Sequence, residues 1–362
     1  MGDVKTVVLA GGGTGGHVYP ALAMGDALAA RGHLLQYMGD ASRLEGRVVP
    51  ERGIPFHPIP AVQYPRSGVV AKFRFAWELL RAVLHSRRIL KKIGADLVLG
   101  VGGYISAPPV LAAWTLGIPR AVHEFNVTPG LANKLCARVA DLVLLSYTQT
   151  GDKLPGTAPR ETVGCPVNPK ILTGDRALAS TRYGLDPARP TLLVVGGSNG
   201  AETINRIGLA AARDPGRRYQ IIHVTGPRYH AELAAELAPL PEGVALVDYE
   251  NRMKDAYAAA DLVVCRAGSS TLAELTAIGK ASVLLPSPNV TENHQEGNAR
   301  GLEVVGAAEV VVERDLDIPA TVARLSALLG DGEQLASMAG AAKGEGHLDT
   351  AERVADLLEL RL

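Results

Sequence analysis

Short runs of aliphatic and β-branched residues alternate along this chain with longer stretches whose apolar positions recur every three to four residues. The runs at 4–10, 34–39, 96–101, 120–123 and 141–146 predict strands, and the stretches between them predict amphipathic helices. Such alternation implies βαβ units and a parallel sheet. After a proline-rich stretch at 156–169 the pattern restarts, with strands predicted at 191–196, 219–225, 244–247, 261–265, 281–285 and 307–312. The expectation is an α/β chain of two doubly wound domains, residues 1–165 and 166–345, hinged near 164–169, where Pro166 and Pro169 disfavour helix. A last segment, 346–362, reads as a helix with Asp349 at its N-cap; it could pack back on either domain, the N-terminal one being the candidate, and the sequence alone does not choose.

Composition fits that plan. A chain of 362 residues with 47% hydrophobic content can build two cores. Its 37 basic and 37 acidic residues cancel, so no overall field draws it to nucleic acid, and none is expected as a partner. Cys136, Cys165 and Cys265 are odd in number and lack CxxC spacing, which argues against a disulfide framework or a zinc site and for a reducing compartment. The glycine-rich loop at Gly11 leaves no room for a signal peptide, and no apolar run approaches the roughly eighteen residues of a membrane span. A cytoplasmic protein, soluble or peripherally attached, is expected.

Candidate chemistry lies where predicted strands end. The first strand runs into Gly11-Gly12-Gly13-Thr14-Gly15-Gly16-His17 and then a helix, a layout that aims backbone N–H groups at an anion. Gly11, Gly13 and Gly16 also satisfy GxGxxG, with Asp40 available for a dinucleotide ribose. A dehydrogenase needs only one such loop, yet Gly102-Gly103-Tyr104-Ile105-Ser106 and Gly196-Gly197-Ser198-Asn199-Gly200-Ala201 follow two further strands. Ligands of open α/β sheets sit at that edge, so the loops of both domains are expected to line one cleft. The most specific string is Cys265-Arg266-Ala267-Gly268-Ser269-Ser270-Thr271-Leu272-Ala273-Glu274: small residues expose backbone to a phosphate, and Glu274 can accept from two ribose hydroxyls. His294-Gln295-Glu296-Gly297-Asn298-Ala299 offers polar groups suited to sugar hydroxyls.

Residues 69–92 stand apart. Phe73, Trp77, Leu80 and Leu84 fall on one helical stripe, and Lys72, Arg74, Arg81, Arg87, Arg88, Lys91 and Lys92 outnumber the single acid Glu78. The stripe is either a core face or a surface for an anionic membrane.

Together, the strings at 12–20, 98–108, 123–126, 196–201, 265–274, 294–299 and 349–354 resemble the MurG family of bacterial transferases, over nearly the whole chain. The resemblance implies GT-B architecture, two Rossmann-like domains facing across a cleft, with the sugar donor on the C-terminal domain and a lipid acceptor on the N-terminal one. It implies inverting transfer of N-acetylglucosamine from UDP-GlcNAc to the muramyl sugar of lipid I, giving lipid II for peptidoglycan, cell shape and cell division. The acceptor would be an undecaprenyl-linked lipid, the location the inner face of the cell membrane, and the partners cell-wall and division proteins.

By resemblance, Ser198 and the backbone of Ser269, Ser270, Thr271 and Leu272 hold the UDP diphosphate and ribose region, Glu274 the ribose hydroxyls, and His294 with Gln295 the donor sugar. Tyr249 and Glu250 border the uracil, and Gly13, Thr14, Gly15 and Asn126 reach the donor sugar. Gly16, Gly103, Tyr104, Ser106 and Glu124 face the acceptor. Departures from the family pattern are Cys165, Phe125, Asn199 and Asn168; Asn168, a donor-side position, stands where the family commonly has an Arg, which leaves backbone amides or Arg266 to meet the diphosphate.

Inversion needs a base. His17 is the first candidate, because imidazole titrates near neutrality, although it could instead orient an acceptor phosphate; Glu124 is the second. No tightly bound cofactor or metal is expected, since helix and loop dipoles can meet the leaving charge and Asp315-Leu316-Asp317 precedes a predicted helix as a cap would. A transferase with another lipid acceptor and a UDP-sugar 2-epimerase are the alternatives.

Overall fold

The computed structural model describes residues 3–60, 65, 68–290 and 293–362. It divides into two compact units, Met1–Val167 with His347–Leu362, and Asn168–Gly346. The first boundary falls two residues beyond the expected one.

Among the described residues of the first unit seven strands, Thr6–Ala10 (β1), Leu34–Gly39 (β2), Phe56–Pro58 (β3), Leu97–Gly100 (β4), Arg120–Glu124 (β5), Leu142–Leu145 (β6) and Arg160–Thr162 (β7), form one parallel sheet in the order β3-β2-β1-β4-β5-β6-β7. β3 and β7 escape the hydrophobic pattern because each is a three-residue edge strand carrying proline or charge, residue types an edge tolerates. The central strands are buried apart from Thr6 and Arg120 at the starts of β1 and β5: Val8, Val98, Val122 and Val143 pack with Ile105, Val110 and Leu90 in one core cluster.

The helix Val69–Ile93 shows how local chemistry and packing cooperate. It stops at Gly94, whose left-handed φ of 61° lets its N–H reach back to Leu90 and Lys91 carbonyls. Ala82, Ser86 and Leu90, on one face, are fully buried, and the helix packs against Ala107–Leu116.

The final helix, Thr350–Glu359, belongs to this first unit. Thr350 donates to the Val163 carbonyl at 2.7 Å, and Arg31 bridges Glu352, Asp356 and Glu359 at 2.9, 2.6 and 2.9 Å. Asp349 occupies the N-cap position, but its side chain makes no capping bond, so these tethers rather than a cap hold the helix start.

Among its described residues the second unit has six parallel strands, Thr191–Val195 (β8), Gln220–Val224 (β9), Val244–Val247 (β10), Leu262–Cys265 (β11), Ala281–Leu284 (β12) and Ala308–Val310 (β13), in the order β10-β9-β8-β11-β12-β13. Core clusters cover both faces of the sheet, as doubly wound packing requires. Each sheet reverses its winding once, between β1 and β4 in the first and between β8 and β11 in the second. Those switch points are where such sheets open to ligands.

Candidate donor and acceptor sites at the two switch points

In the first unit, β1 and β4 deliver their loops side by side. A Cβ on Gly11 would lie 2.4 Å from Val101 Cγ2, and one on Gly103 would lie 2.7 Å from the Gly12 carbonyl oxygen, so only glycine permits the two loops to meet. Gly13 is different: its φ is +89° and nothing lies within 4 Å of where a Cβ would be, which leaves the outer side of the loop open. Gly13 and Thr14 are exposed, Gly15 and Gly16 half-buried at the start of the helix Gly15–Ala30.

Thr14 makes no capping bond to that helix; its Oγ1 instead lies 3.0 Å from His17 Nδ1. The His17 ring sits over Gly102, where a Cβ would come within 2.9 Å of its Cδ2, and its centroid is 6.1 Å from that of Phe125. The fold thus gathers Thr14, Gly16, His17, Gly103 and the half-buried Tyr104 around one open loop edge. Ser106 does not share that face: it is fully buried and donates to the Gly103 carbonyl at 2.8 Å, so it shapes the turn from within.

Glu124 ends β5 and is 3% exposed. Its Oε1 accepts from the Asn126 backbone N–H and Nδ2 at 3.0 and 3.2 Å, and its Oε2 from Gly130 N–H and Asn133 Nδ2 at 3.0 and 2.9 Å. Burial pushes its pKa above the ordinary carboxylate value, and those four donors oppose the rise. With both oxygens occupied, Glu124 braces the loop that holds Asn126. Asn133, which completes the brace, carries no sequence signal beyond its place in a short helix. Asp40 is spent locally on the Ser42 N–H and hydroxyl at 2.9 and 2.8 Å, a turn and not a ribose contact.

The second unit repeats the arrangement with different chemistry. Gly200 and Gly226 pack tightly, a Cβ on the latter falling 2.4 Å from Gly200 N, whereas Gly197 and Gly268 face open space. Ser198 and Asn199 are exposed on the β8 loop. The helix Ser269–Ile278 begins without a side-chain cap, so its leading amides at Ser269, Ser270 and Thr271 present the positive end of the helix to the open side of Gly268. Leu272 is 1% exposed and its amide already bonds the Gly268 carbonyl at 3.0 Å, which withdraws it from any ligand.

Glu274, one turn further, is half-buried, and burial raises its pKa to about 7 although the Tyr257 hydroxyl, donating at 2.9 Å, opposes the rise. Tyr257 was not visible as a site residue because it reads as an apolar helix position. The helix His294–Val304 is tied to the same loop by Asn298 Nδ2, which donates to the Ala267 carbonyl at 3.3 Å. Half-buried His294 and Gln295 lead that helix, and Gln295 Oε1 accepts from Ser287 N–H at 2.9 Å.

Three donor-side expectations meet prior commitments. Arg266 pairs with Glu313 and donates to the Leu285 and Pro286 carbonyls at 3.1 and 3.3 Å, so it tethers the loop and is not a spare cation for a diphosphate. Glu250 is buried and accepts from Arg182, Tyr183 and the Arg252 N–H at 3.1, 2.6 and 2.6 Å; exposed Tyr249 beside it is the accessible neighbour. Asn168, exposed, accepts from Lys170 N–H and caps the short 3-10 helix Pro169–Thr173. Asp317 caps the helix Ile318–Gly330 through Ala320 N–H at 3.0 Å.

On the helix Val69–Ile93 the stripe faces water: Phe73 is 74% exposed, Trp77 61%, Leu80 49% and Leu84 44%. Ala82, Ser86 and Leu90 fill the opposite face, so the core does not need the stripe. Among the described residues no helix is long and apolar enough to cross a membrane.

Comparison with known proteins supplies the remaining constraint. The glycosyltransferase family 28 N-terminal domain matches residues 7–145 and its C-terminal domain residues 191–354. A UDP-N-acetylglucosamine:N-acetylmuramyl-(pentapeptide) pyrophosphoryl-undecaprenol N-acetylglucosamine transferase of Frankia casuarinae is 41% identical, covering 98% of this chain and 95% of its own. A protein of the same name from Clavibacter sepedonicus is 43% identical over 97% of this chain and 95% of its own. The crystal structure of Acinetobacter baumannii MurG matches with a TM-score of 0.80 and 29% identity, covering 98% of this chain and 99% of that one. With both domains of the family matched and relatives this similar over its whole length, the chain belongs to the MurG family within glycosyltransferase family 28 and has its two-domain GT-B fold.

Proposed function

We propose that this chain transfers N-acetylglucosamine from UDP-GlcNAc to the muramyl sugar of undecaprenyl-linked lipid I, giving lipid II. The observation that carries the reading is the 41–43% identity, over nearly the whole chain, to transferases named for that reaction. The second unit would hold the donor: the Ser269–Thr271 amides and Ser198 meet the diphosphate, Glu274 accepts from the ribose hydroxyls, and His294 with Gln295 faces the sugar. Neither Arg266 nor Asn168 supplies a cation, so oriented amides and the helix dipole stabilise the leaving UDP. In the first unit Gly16, Gly103 and Tyr104 would meet the acceptor, and Gly13, Thr14, Gly15 and Asn126 the donor sugar.

The acceptor hydroxyl attacks the anomeric carbon, the bond to the UDP oxygen breaks, and the hydroxyl proton passes to a base, with inversion. His17 is the base in this reading, since Thr14 fixes its ring and Glu124 is engaged in bracing its loop. The exposed Phe73, Trp77, Leu80 and Leu84 with their basic flanks would seat the enzyme on the anionic inner face of the membrane, where the acceptor resides. The same reading places it with the proteins that build the wall during growth and division. Mass spectrometry and proton NMR of a lipid I analogue incubated with UDP-GlcNAc test the reaction: one added N-acetylhexosamine by mass, β-linked by its anomeric coupling, supports it, and a 2-epimer of the donor seen by NMR without transfer contradicts it.

A further inference from the structure

The first glycine loop contains a buried charge that neither nucleotide-sugar binding nor proton transfer calls on. Glu45 sits in the short helix Leu44–Glu51 and is 0% exposed. Its Oε2 accepts from the Gly13 N–H at 2.9 Å and its Oε1 from the Asp40 N–H at 3.2 Å. The carboxylate fills the space under the loop so closely that a Cβ on Gly12 would lie 2.1 Å from Oε1, and one on Gly39 2.7 Å from Cγ. From the same side, buried Tyr37 donates its hydroxyl to the Gly11 carbonyl at 3.1 Å.

A glycine loop of this kind ordinarily turns its N–H groups toward a bound anion, and without one its peptides have no fixed direction. Here an anion is part of the chain. The carboxylate takes the Gly13 amide from beneath, which fixes the 12–13 peptide while the opposite side of Gly13 stays open. Thr14 follows directly, and Thr14 sets the His17 ring. We propose that Glu45 is a positioning residue for transfer: its buried carboxylate, bonded to the Gly13 and Asp40 amides, holds the first glycine loop in its working conformation before any ligand arrives and thereby places Thr14 and His17. It touches neither substrate, and the bonds it makes lie within the acceptor-side unit. This rests on the reading of the site given above.

Glu45→Gln and Glu45→Ala test it. Gln matches Glu in size but turns one amide-accepting oxygen into a donor, so one of the two bonds is lost; Ala loses both. The expected turnover order is wild type, then Gln, then Ala, with losses of roughly tenfold and a hundredfold, as displacement of a positioned group by about 1 Å produces. UDP affinity of the Gln variant should stay at the wild-type value, and its thermal midpoint should fall only by what one lost buried hydrogen bond costs, leaving it folded at the assay temperature. Wild-type turnover in the Gln and Ala variants overturns the proposal, as does activity lost only in step with the folded fraction. If the wild-type chain itself transfers nothing, the proposed reaction is what fails, and hydrogen exchange at the Gly12–His17 amides still decides: Glu45→Gln accelerates it if the carboxylate holds the loop, and leaves it unchanged if not.

Discussion

Tyr257 donates its hydroxyl to Glu274 Oε2 at 2.9 Å, from the helix Met253–Ala259 to the helix Ser269–Ile278. The bond holds a half-buried carboxylate on the helix that follows the β11 loop and partly offsets what burial costs its charge. Burial still wins, and Glu274 titrates at about 7 where an ordinary glutamate titrates at 4.5. In the ligand-free protein this group is therefore poised between proton donor and acceptor at neutral pH.

That poise has a stability consequence. Because the folded pKa is raised, folded protein keeps the Glu274 proton between about 4.5 and 7 while unfolded protein releases it, so Glu274 destabilises the fold progressively as pH rises through that window, fully above about 7. Glu274→Gln should raise the thermal midpoint relative to wild type more at pH 8 than at pH 5. An equal difference at both pH values would contradict it.

Donor binding should run the opposite way. A ribose diol would donate to the ionised carboxylate, so the affinity for UDP-GlcNAc, whose diester pyrophosphate does not titrate in this range, should rise from pH 6 to pH 8 in the wild type and be flat in Glu274→Gln. Tyr257→Phe removes the opposing donor, moves the titration upward and should weaken UDP at pH 7 by roughly the 1 kcal/mol of one hydrogen bond. Isothermal titration calorimetry reads both.

The membrane reading predicts variants that fold but do not dock. Phe73→Ser and Trp77→Ser remove side chains that the core does not use, so thermal midpoints should move little, within about 0.5 kcal/mol for surface positions. Sedimentation with anionic vesicles should drop sharply, and the wild-type interaction should weaken with salt. A large loss of stability would instead mark the stripe as core.

Much of the fold was legible because buried parallel strands leave unbroken apolar runs, and because glycine is forced wherever two loops touch, as at Gly11 and Gly103. The edge strands Phe56–Pro58 and Arg160–Thr162 were not legible, since an edge needs no such run. Roles within the site were harder. Arg266, Ser106 and Glu250 carry groups suited to a ligand, and only the coordinates reveal that Glu313, Gly103 and Arg182 already engage them. Conversely, Glu45, Asn133 and Tyr257 act on neighbours distant in sequence, and no spacing rule finds such pairs. The stripe at Phe73 and Trp77 had the right period for two opposite fates, and burial of Ala82, Ser86 and Leu90 on the other face leaves the stripe exposed to solvent.

Chelation separates amide from metal stabilisation of the leaving group. If the uncapped Ser269–Thr271 amides and the helix dipole meet the diphosphate, as proposed, transfer should persist in excess EDTA. Loss of activity that a divalent cation restores would refute that assignment.

The most direct test of the central claim is transfer of radiolabelled N-acetylglucosamine from UDP-GlcNAc to a lipid I analogue, in wild type and Glu274→Ala, with a lipid-free control. The account predicts label in the lipid fraction only when the acceptor is present, and its near-complete loss in the variant. Undiminished transfer by Glu274→Ala would contradict the donor site, and UDP-GlcNAc binding with no labelled lipid would contradict the reaction.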